Sequence, residues 1–475
     1  MSDELSTDAD LRDALELLAL DIDGDTHPVG HSRKRIVDEP AKRPLHIVLV
    51  APPYFDIPPT GYGGVEAVVA SLADELVDSG HRVTLIGAGR PGTKADFIPV
   101  WDEVLTHRLG EPYPEIVHAM KAWRVIQELH AEDPIDVVHD HTFAGPGNAA
   151  AYRALGIPTV VTVHGPVDAE MREYYRAFDD SVRLVAISDR QRELAPDLNW
   201  IARVHNAINP DEWPFRTEKL DYALFLGRYA PYKGPHLALE AAHSAGLRLI
   251  LAGKCNEPPE HAFFDEFVRP LLGPDDDVFG EADAAAKRQL LAGARCLLFP
   301  IQWEEPFGIV MIEAMVCGTP VIALRGGAVA EVVEHGVTGW ICESPDELPD
   351  AIARIDEIDP RACRERVEKY FATGRFAQGY EEAYYRAVAE TTPILSTTPI
   401  LSTTPILSTT PILSTTPILS AAPAESAIPP EPATPLTPVT PATARSPQSA
   451  YRRNRARTTP VPPSPRGTRL PSGRR

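Results

Sequence analysis

The chain has 475 residues and a net charge of −21, unevenly placed: from Ala421 onward there are nine arginines and two glutamates, which leaves about −28 on residues 1–420. An acidic body of this kind argues against a duplex nucleic-acid surface on the folded part, because phosphate backbones are held by cations. No run of eighteen apolar residues is present, Met1 is followed by acidic residues instead of a basic and then apolar leader, and the five cysteines show no CxxC spacing. The expectation is a cytoplasmic chain with reduced, mostly buried thiols.

Residues 1–44 are mostly polar and acidic and read as an extension, either a short helix or disorder. From 45 onward, runs that are apolar throughout predict short strands: LHIVLVA (45–51), RVTLIGA (82–88), DVVH (136–139), TVVTVH (159–164) and VRLVAIS (182–188). Helical patterns such as VEAVVASLADELVDSG separate them, and strands with no polar face that alternate with helices predict a parallel sheet covered on both sides. Residues 45–210 are therefore expected to form one Rossmann-like domain. The glycines of GYGG (61–64) do not match GxGxxG, and no acidic residue closes RVTLIGAGR where a ribose would be held, so a dinucleotide reading is weak. Gly63 and Gly64 lie instead on a loop that feeds a helix, where bare backbone can pass close beneath a bulky ligand. His139 and His141 share one side of their strand end if the strand persists, and His164 ends a neighbouring strand. Ligands of open parallel sheets bind at such ends. Three histidines also raise a metal site, but no carboxylate or thiolate completes it, and local hydrogen bonding is the expectation for His139.

The Pro-, Asn- and Asp-rich stretch from Asn206 to Asp221 reads as a linker, after which YALFLGR (222–228), LRLILAG (247–253), RCLLFP (295–300) and TPVIAL (319–324) predict a second Rossmann-like domain over 211–370. Arg228 and Lys233 follow its first strand in GRYAPYKG, flanked by glycines, well placed for a phosphate; an ordinary turn-and-helix salt bridge is the alternative. Asp275 to Asp277 follow LLGP and read as a solvated turn.

The run EEPFGIVMIEAMVCGTPVIA places Glu305 just before an apolar helix pattern and Glu313 inside it. At about 100° per residue, a helix starting near Phe307 turns Glu313 toward the side that faces the Glu305 loop. Gly308 leaves room for a ligand at the amides of the helix's first turn, a plausible seat for a diphosphate. The competing reading is a solvated Glu305 and a surface Glu313. The last helical pattern, RFAQGYEEAYYRAVAE, falls in residues 371–390 and is a candidate to pack back on the first domain. Beyond it stand five copies of TTPILS (391–420) and a Pro- and Arg-rich tail (421–475), for which a largely disordered stalk is expected.

In order and spacing, GYGGVE, HDHTF, TVHGP, HNAIN, GRYAPYKGP, LAGK and EEPFGIVMIEAMVCGTPVIA with EVVEHGVTG strongly resemble the retaining glycosyltransferases of family 4, over roughly Leu45 to Tyr385. That resemblance implies the α/β GT-B fold, with two Rossmann-like domains facing across a cleft. It implies transfer of a hexose from a UDP-, GDP- or ADP-sugar to a small-molecule, glycan or lipid acceptor, the donor being a substrate, with no cofactor and no bound metal. Carried over residue by residue, Glu305 would hold hydroxyls of the sugar, Glu313 the ribose, and Arg228 and Lys233 the diphosphate. His141 would stand near the reaction centre, with Gly63, Gly64, Phe307, Gly308 and Ile309 completing the donor site. A GT-B phosphorylase, a sugar-nucleotide epimerase and a non-catalytic nucleotide-sugar binder are the alternatives. If the acceptor is a lipid, the basic tail offers peripheral contact with the inner face of an anionic membrane.

Overall fold

The computed structural model describes residues 43–61 and 63–391, so the expectations for the acidic extension, the TTPILS copies and the basic tail lie outside the described residues. Thirteen strands among the described residues form two all-parallel sheets. The first contains β1 (His46–Val50), β2 (Arg82–Ala88), β3 (Asp96–Trp101), β4 (Val137–Asp140), β5 (Thr159–Val163), β6 (Arg183–Ala186) and β7 (Trp200–Arg203), in the order β3-β2-β1-β4-β5-β6-β7. The second contains β8 (Ala223–Leu226), β9 (Leu249–Ala252), β10 (Asp277–Gly280), β11 (Cys296–Phe299), β12 (Val321–Leu324) and β13 (Gly339–Cys342), in the order β10-β9-β8-β11-β12-β13. Strand order reverses between β1 and β4 in one sheet and between β8 and β11 in the other. Connections leave in opposite directions at such a point, which opens a crevice at the carboxyl ends of the strands.

The helices that matter for the site are α1 (Gly64–Asp78), α2 (Pro112–Glu132), α3 (Asp189–Leu194), α4 (Ala284–Gly293), α5 (Ile309–Val316), α6 (Val329–Val332) and α7 (Thr373–Thr391). In α1, Val68, Val69, Leu72, Ala73 and Leu76 recur at helical spacing and are buried against the first sheet's core with Ile47 and Leu49 of β1. Gly63 starts this helix at φ 146°, and a Cβ there would meet the Pro59 Cβ at 2.8 Å, so the turn requires glycine. None of the described helices is long and apolar enough to cross a membrane. All five cysteines are free thiols, and all but Cys255 are buried.

Although α7 follows the second sheet in sequence, its Phe376, Tyr380, Ala383, Tyr384 and Ala387 join the core of the first. Two of its hydroxyls satisfy polar groups inside that core: Tyr384 Oη lies 2.7 Å from His139 Nδ1, and Tyr380 Oη 2.9 Å from Thr162 Oγ1. The His139 Nε2 meets the same Thr162 oxygen at 2.8 Å. Both ring nitrogens of His139 are thus occupied, which removes it from any metal set. In the acidic run at 275–277, Asp275 and Asp277 are exposed as a solvated turn would have them, but Asp276 is not. The Asp276 carboxylate accepts the N–H groups of Leu249 and Gly273, both at 2.8 Å, lies 2.6 Å from His243 Nε2, and is 2 % exposed, so it ties the loop to β9.

Tyr384→Phe removes a buried hydroxyl and leaves a His139 nitrogen without a partner, an expected loss of about 1–2 kcal/mol. Chemical denaturation of the two proteins measures it; an unchanged midpoint would show that the bond contributes nothing to the docking of α7.

Candidate functional site

The functional side chains come from the carboxyl ends of the strands that flank both order reversals. Arg228 follows β8, Glu305 follows β11, and His141 follows β4. A cleft of about 630 Å³ lies where the two sheets face each other, lined by Gly61, Gly63 and Gly64 on the first side and by Arg228, Lys254, Lys287, Ile309 and Glu313 on the second.

Each cation of the second wall is already paired. Arg228 Nε donates to Glu260 Oε1 at 2.6 Å and its Nη2 lies 2.8 Å from Glu257 Oε2. Burial pushes the Glu260 carboxyl up, but the Arg228 hydrogen bond and the N–H groups of Glu257 and Asn256 outweigh it and hold that carboxyl below its usual range. Lys233 Nζ donates to Glu305 Oε2 at 2.5 Å, and the Trp303 indole N–H donates to the same oxygen at 2.8 Å. The Lys233 ammonium also stands 4.9 Å from the centre of the Trp303 ring. Gly234, at φ 72°, lets the chain turn from Lys233 into the next helix; a Cβ there would strike the Pro300 carbonyl at 2.2 Å.

Helix α5 begins at Ile309, two residues later than the sequence pattern suggests, with Gly308 as its cap at φ 76°. A Cβ on Gly308 would meet Met311 Cε at 2.8 Å and Phe299 Cζ at 2.9 Å, so only glycine keeps the first-turn amides of α5 in place beside the cleft. Glu313 is not the surface residue of the competing reading. It is 5 % exposed, and its Oε1 receives Lys287 Nζ from α4 at 2.5 Å. Lys287 escaped the sequence reading because nothing in DAAAKRQLL links it to a carboxylate 26 residues away. Phe307, expected at the donor, is 2 % exposed, with its ring 5.7 Å from His205 and 6.0 Å from Phe371; only its backbone remains to meet a ligand.

Neither the Lys233–Glu305 pair nor His141 is among the residues that line the cleft. The His141 ring is buried, its Nδ1 lies 2.9 Å from His164 Nε2, and its own Nε2 has no partner. Burial, reinforced by His139 and His164, pushes the His141 ring well below the usual imidazole range, and burial takes His164 down to about 4, so both are uncharged at neutral pH.

A second set of contacts ties the two domains together and has no counterpart in the sequence reading. Arg190 of α3 clamps the Glu304 carboxylate with Nε and Nη2, both at 2.9 Å, and the Gly327 N–H donates to Glu304 at 3.1 Å. From α6, Glu331 accepts the N–H groups of Asp189 and Arg190, each at 2.8 Å, and meets His205 Nε2 at 2.9 Å. Asp189, His205 and Glu331 stand close enough to suggest a cation site, but both Glu331 oxygens are taken by these N–H groups, and the arrangement is that of a cap on α3. Glu304 directly precedes Glu305, so the tie fixes the loop that carries the latter.

The family model described as Glycosyltransferase Family 4 matches residues 62–212, and the one described as Glycosyl transferases group 1 matches residues 210–370. Among characterised relatives, an N-acetyl-alpha-D-glucosaminyl L-malate synthase of Bacillus anthracis is 26 % identical over 68 % of this chain and 94 % of its own length. A phosphatidyl-myo-inositol mannosyltransferase of Mycolicibacterium smegmatis is 27 % identical over 69 % of this chain and 90 % of its own. The solved structure of AviGT4, a glycosyltransferase involved in avilamycin A biosynthesis, superposes with a TM-score of 0.54 at 27 % identity, covering 73 % of this chain and 98 % of that one.

Lys287→Ala strands a buried carboxylate without its cation, which is expected to cost about 3 kcal/mol of stability and to weaken nucleoside-diphosphate binding, whereas Lys287→Arg retains both. Denaturant melts and calorimetry on the two variants check this; an alanine variant with native stability and affinity would show that Glu313 needs no partner.

Proposed function

From a chain that belongs to the family-4 glycosyltransferases and carries their GT-B fold, we propose a hexosyltransferase that takes its sugar from a nucleotide-sugar donor and keeps the anomeric configuration. The observation that carries this reading is the convergence, at the order reversals of two facing sheets, of Arg228 and the Lys233–Glu305 and Lys287–Glu313 pairs near a bare glycine helix start. Diphosphate, sugar and ribose each have a chemically matched partner there.

In this reading the diphosphate lies against Arg228, Lys233 and the first-turn amides of α5. Negative charge on its bridging oxygen grows as the bond to the anomeric carbon breaks, so cations and amides fixed at that place stabilise the transition state more than the ground state. Arg228 and Lys233 supply this charge themselves, which makes the reading one without a bound metal. Glu305 orients the sugar through its hydroxyls, and Glu313, an ionised double acceptor, takes the ribose diol. No side chain is assigned as a nucleophile opposite the donor. The acceptor oxygen therefore bonds to the anomeric carbon on the face the phosphate leaves, and its proton passes to a departing phosphate oxygen. The acceptor side is the wall of Gly63 and Gly64.

A panel of UDP-, GDP- and ADP-sugars incubated with host-cell extract tests the reading through nucleotide release and a mass-shifted product. One donor is expected to give both, with the product anomer matching the donor. Turnover that requires inorganic phosphate would mark a phosphorylase, an isomerised sugar nucleotide an epimerase, and binding without release a non-catalytic protein.

A further inference from the structure

One exposed surface of the first domain is unlike the rest. On α2, Tyr113, Ile116 and Met120 are 59, 53 and 63 % exposed, and their i, i+3, i+7 spacing places them on one face. Phe143, 53 % exposed, continues the stripe. It stands two residues beyond His141, its N–H donates to Glu115 of α2 at 3.3 Å, and its ring stacks on Tyr174 at 4.7 Å and 10°. The Tyr174 hydroxyl closes the pair by donating to the Phe143 carbonyl. An apolar stripe of this extent marks a binding surface more often than chance exposure does. It runs directly into the loop that carries His141, whose buried Nε2 is unpartnered.

The charges around it select against an anion. Glu115 acts on both Glu66 and Asp140, and burial raises all three carboxyls, Glu66 and Asp140 to about 7. The cations beside it are engaged: Arg108 pairs with Glu111 at 2.6 Å and stands 5.3 Å from the centre of the Tyr113 ring, and Lys121 donates to the Val100 carbonyl at 2.7 Å. Arg124 lies exposed one turn past Met120, at the end of the stripe away from His141. Asp102 and Glu103, exposed just after β3, disfavour an anionic bilayer.

Resting on the glycosyl-transfer reading, we propose that the acceptor is an uncharged molecule with a hydroxyl on an apolar body, the body lying along Phe143, Ile116, Met120 and Tyr113 and the hydroxyl reaching the cleft past His141. Both the stripe and the acidic surround favour such a molecule over a phosphorylated or carboxylated acceptor.

The test uses the full chain, a donor labelled in its sugar, and an organic extract of host cells split by anion exchange into a neutral flow-through and a retained anionic fraction. Label is expected to enter the neutral fraction at least tenfold more than the anionic one. In the Ile116→Ser/Met120→Ser variant that incorporation should fall at least fivefold, with nucleoside-diphosphate affinity by calorimetry unchanged as the control for folding. Label in the anionic fraction, or in neither fraction while the donor is still hydrolysed, overturns the acceptor class and leaves the transferase reading standing. Equal incorporation by the variant overturns the placement on α2, as does wild-type cosedimentation with phosphatidylcholine vesicles that the variant loses, since a bilayer would then be the occupant. A chain that neither binds nor hydrolyses any donor overturns both readings together.

Discussion

The donor wall cannot leave a buried charge unpaired, and that constraint shapes the whole site. Lys233 holds Glu305, Lys287 holds Glu313, and Arg228 holds Glu260 and Glu257. Removing ions from water costs several kcal/mol each unless a partner of opposite sign is supplied, so a half-buried cluster of this kind folds only if it is internally neutralised. In the proposed reading, binding a diphosphate is an exchange of partners: Lys233 would turn to the phosphate and free Glu305 for the sugar. On that proposal, one ion pair couples recognition of the leaving group to recognition of the sugar. Arg228 differs, because Glu260 is itself fixed by the N–H groups of Asn256 and Glu257 and stays behind as a brace.

The scaffold makes that exchange local. Two doubly wound sheets bring their order reversals face to face, while α7 returns to close the first core and the Arg190–Glu304 and Glu331 contacts tie α3 to the loops before α5 and at α6. Gly327, whose Cβ would collide with the Glu305 backbone at 2.0 Å, lets the α6 loop press directly on the loop that carries the sugar-facing carboxylate. Glu305 is thus held from behind by backbone and from the first domain through its neighbour, and its side chain is the part left to change partners.

What the sequence made legible follows from range. Runs such as LHIVLVA and RCLLFP are apolar because both faces are covered, and the strands they announce are present within a few residues. Strands β3 and β10 escaped because they are sheet edges: DFIPVW is half-exposed and carries Pro99 where an edge tolerates it, and DVFG is largely exposed. Strand β7 is likewise only partly buried, while β13, buried throughout, is a four-residue run too short to signal itself. Glu305, Glu313, Arg228 and Gly308 stood out because each belongs to a compact local motif. Lys287, Arg190 and Glu331 did not, since their meaning lies in partners 26, 114 and 142 residues away. The aromatic ring of Phe307 misled for the opposite reason: it sits inside the right motif, yet it is packed against His205 and Phe371.

The partner-exchange account is tested most directly by calorimetric titration of the nucleoside diphosphate into the native chain and into Glu305→Gln. If Glu305 competes with the diphosphate for Lys233, the glutamine variant frees that cation and binds the nucleotide as tightly as the native protein or more tightly, even as sugar transfer falls. A clearly weaker nucleotide affinity in Glu305→Gln would contradict the account, because it would mean that the carboxylate supports the diphosphate site instead of yielding to it.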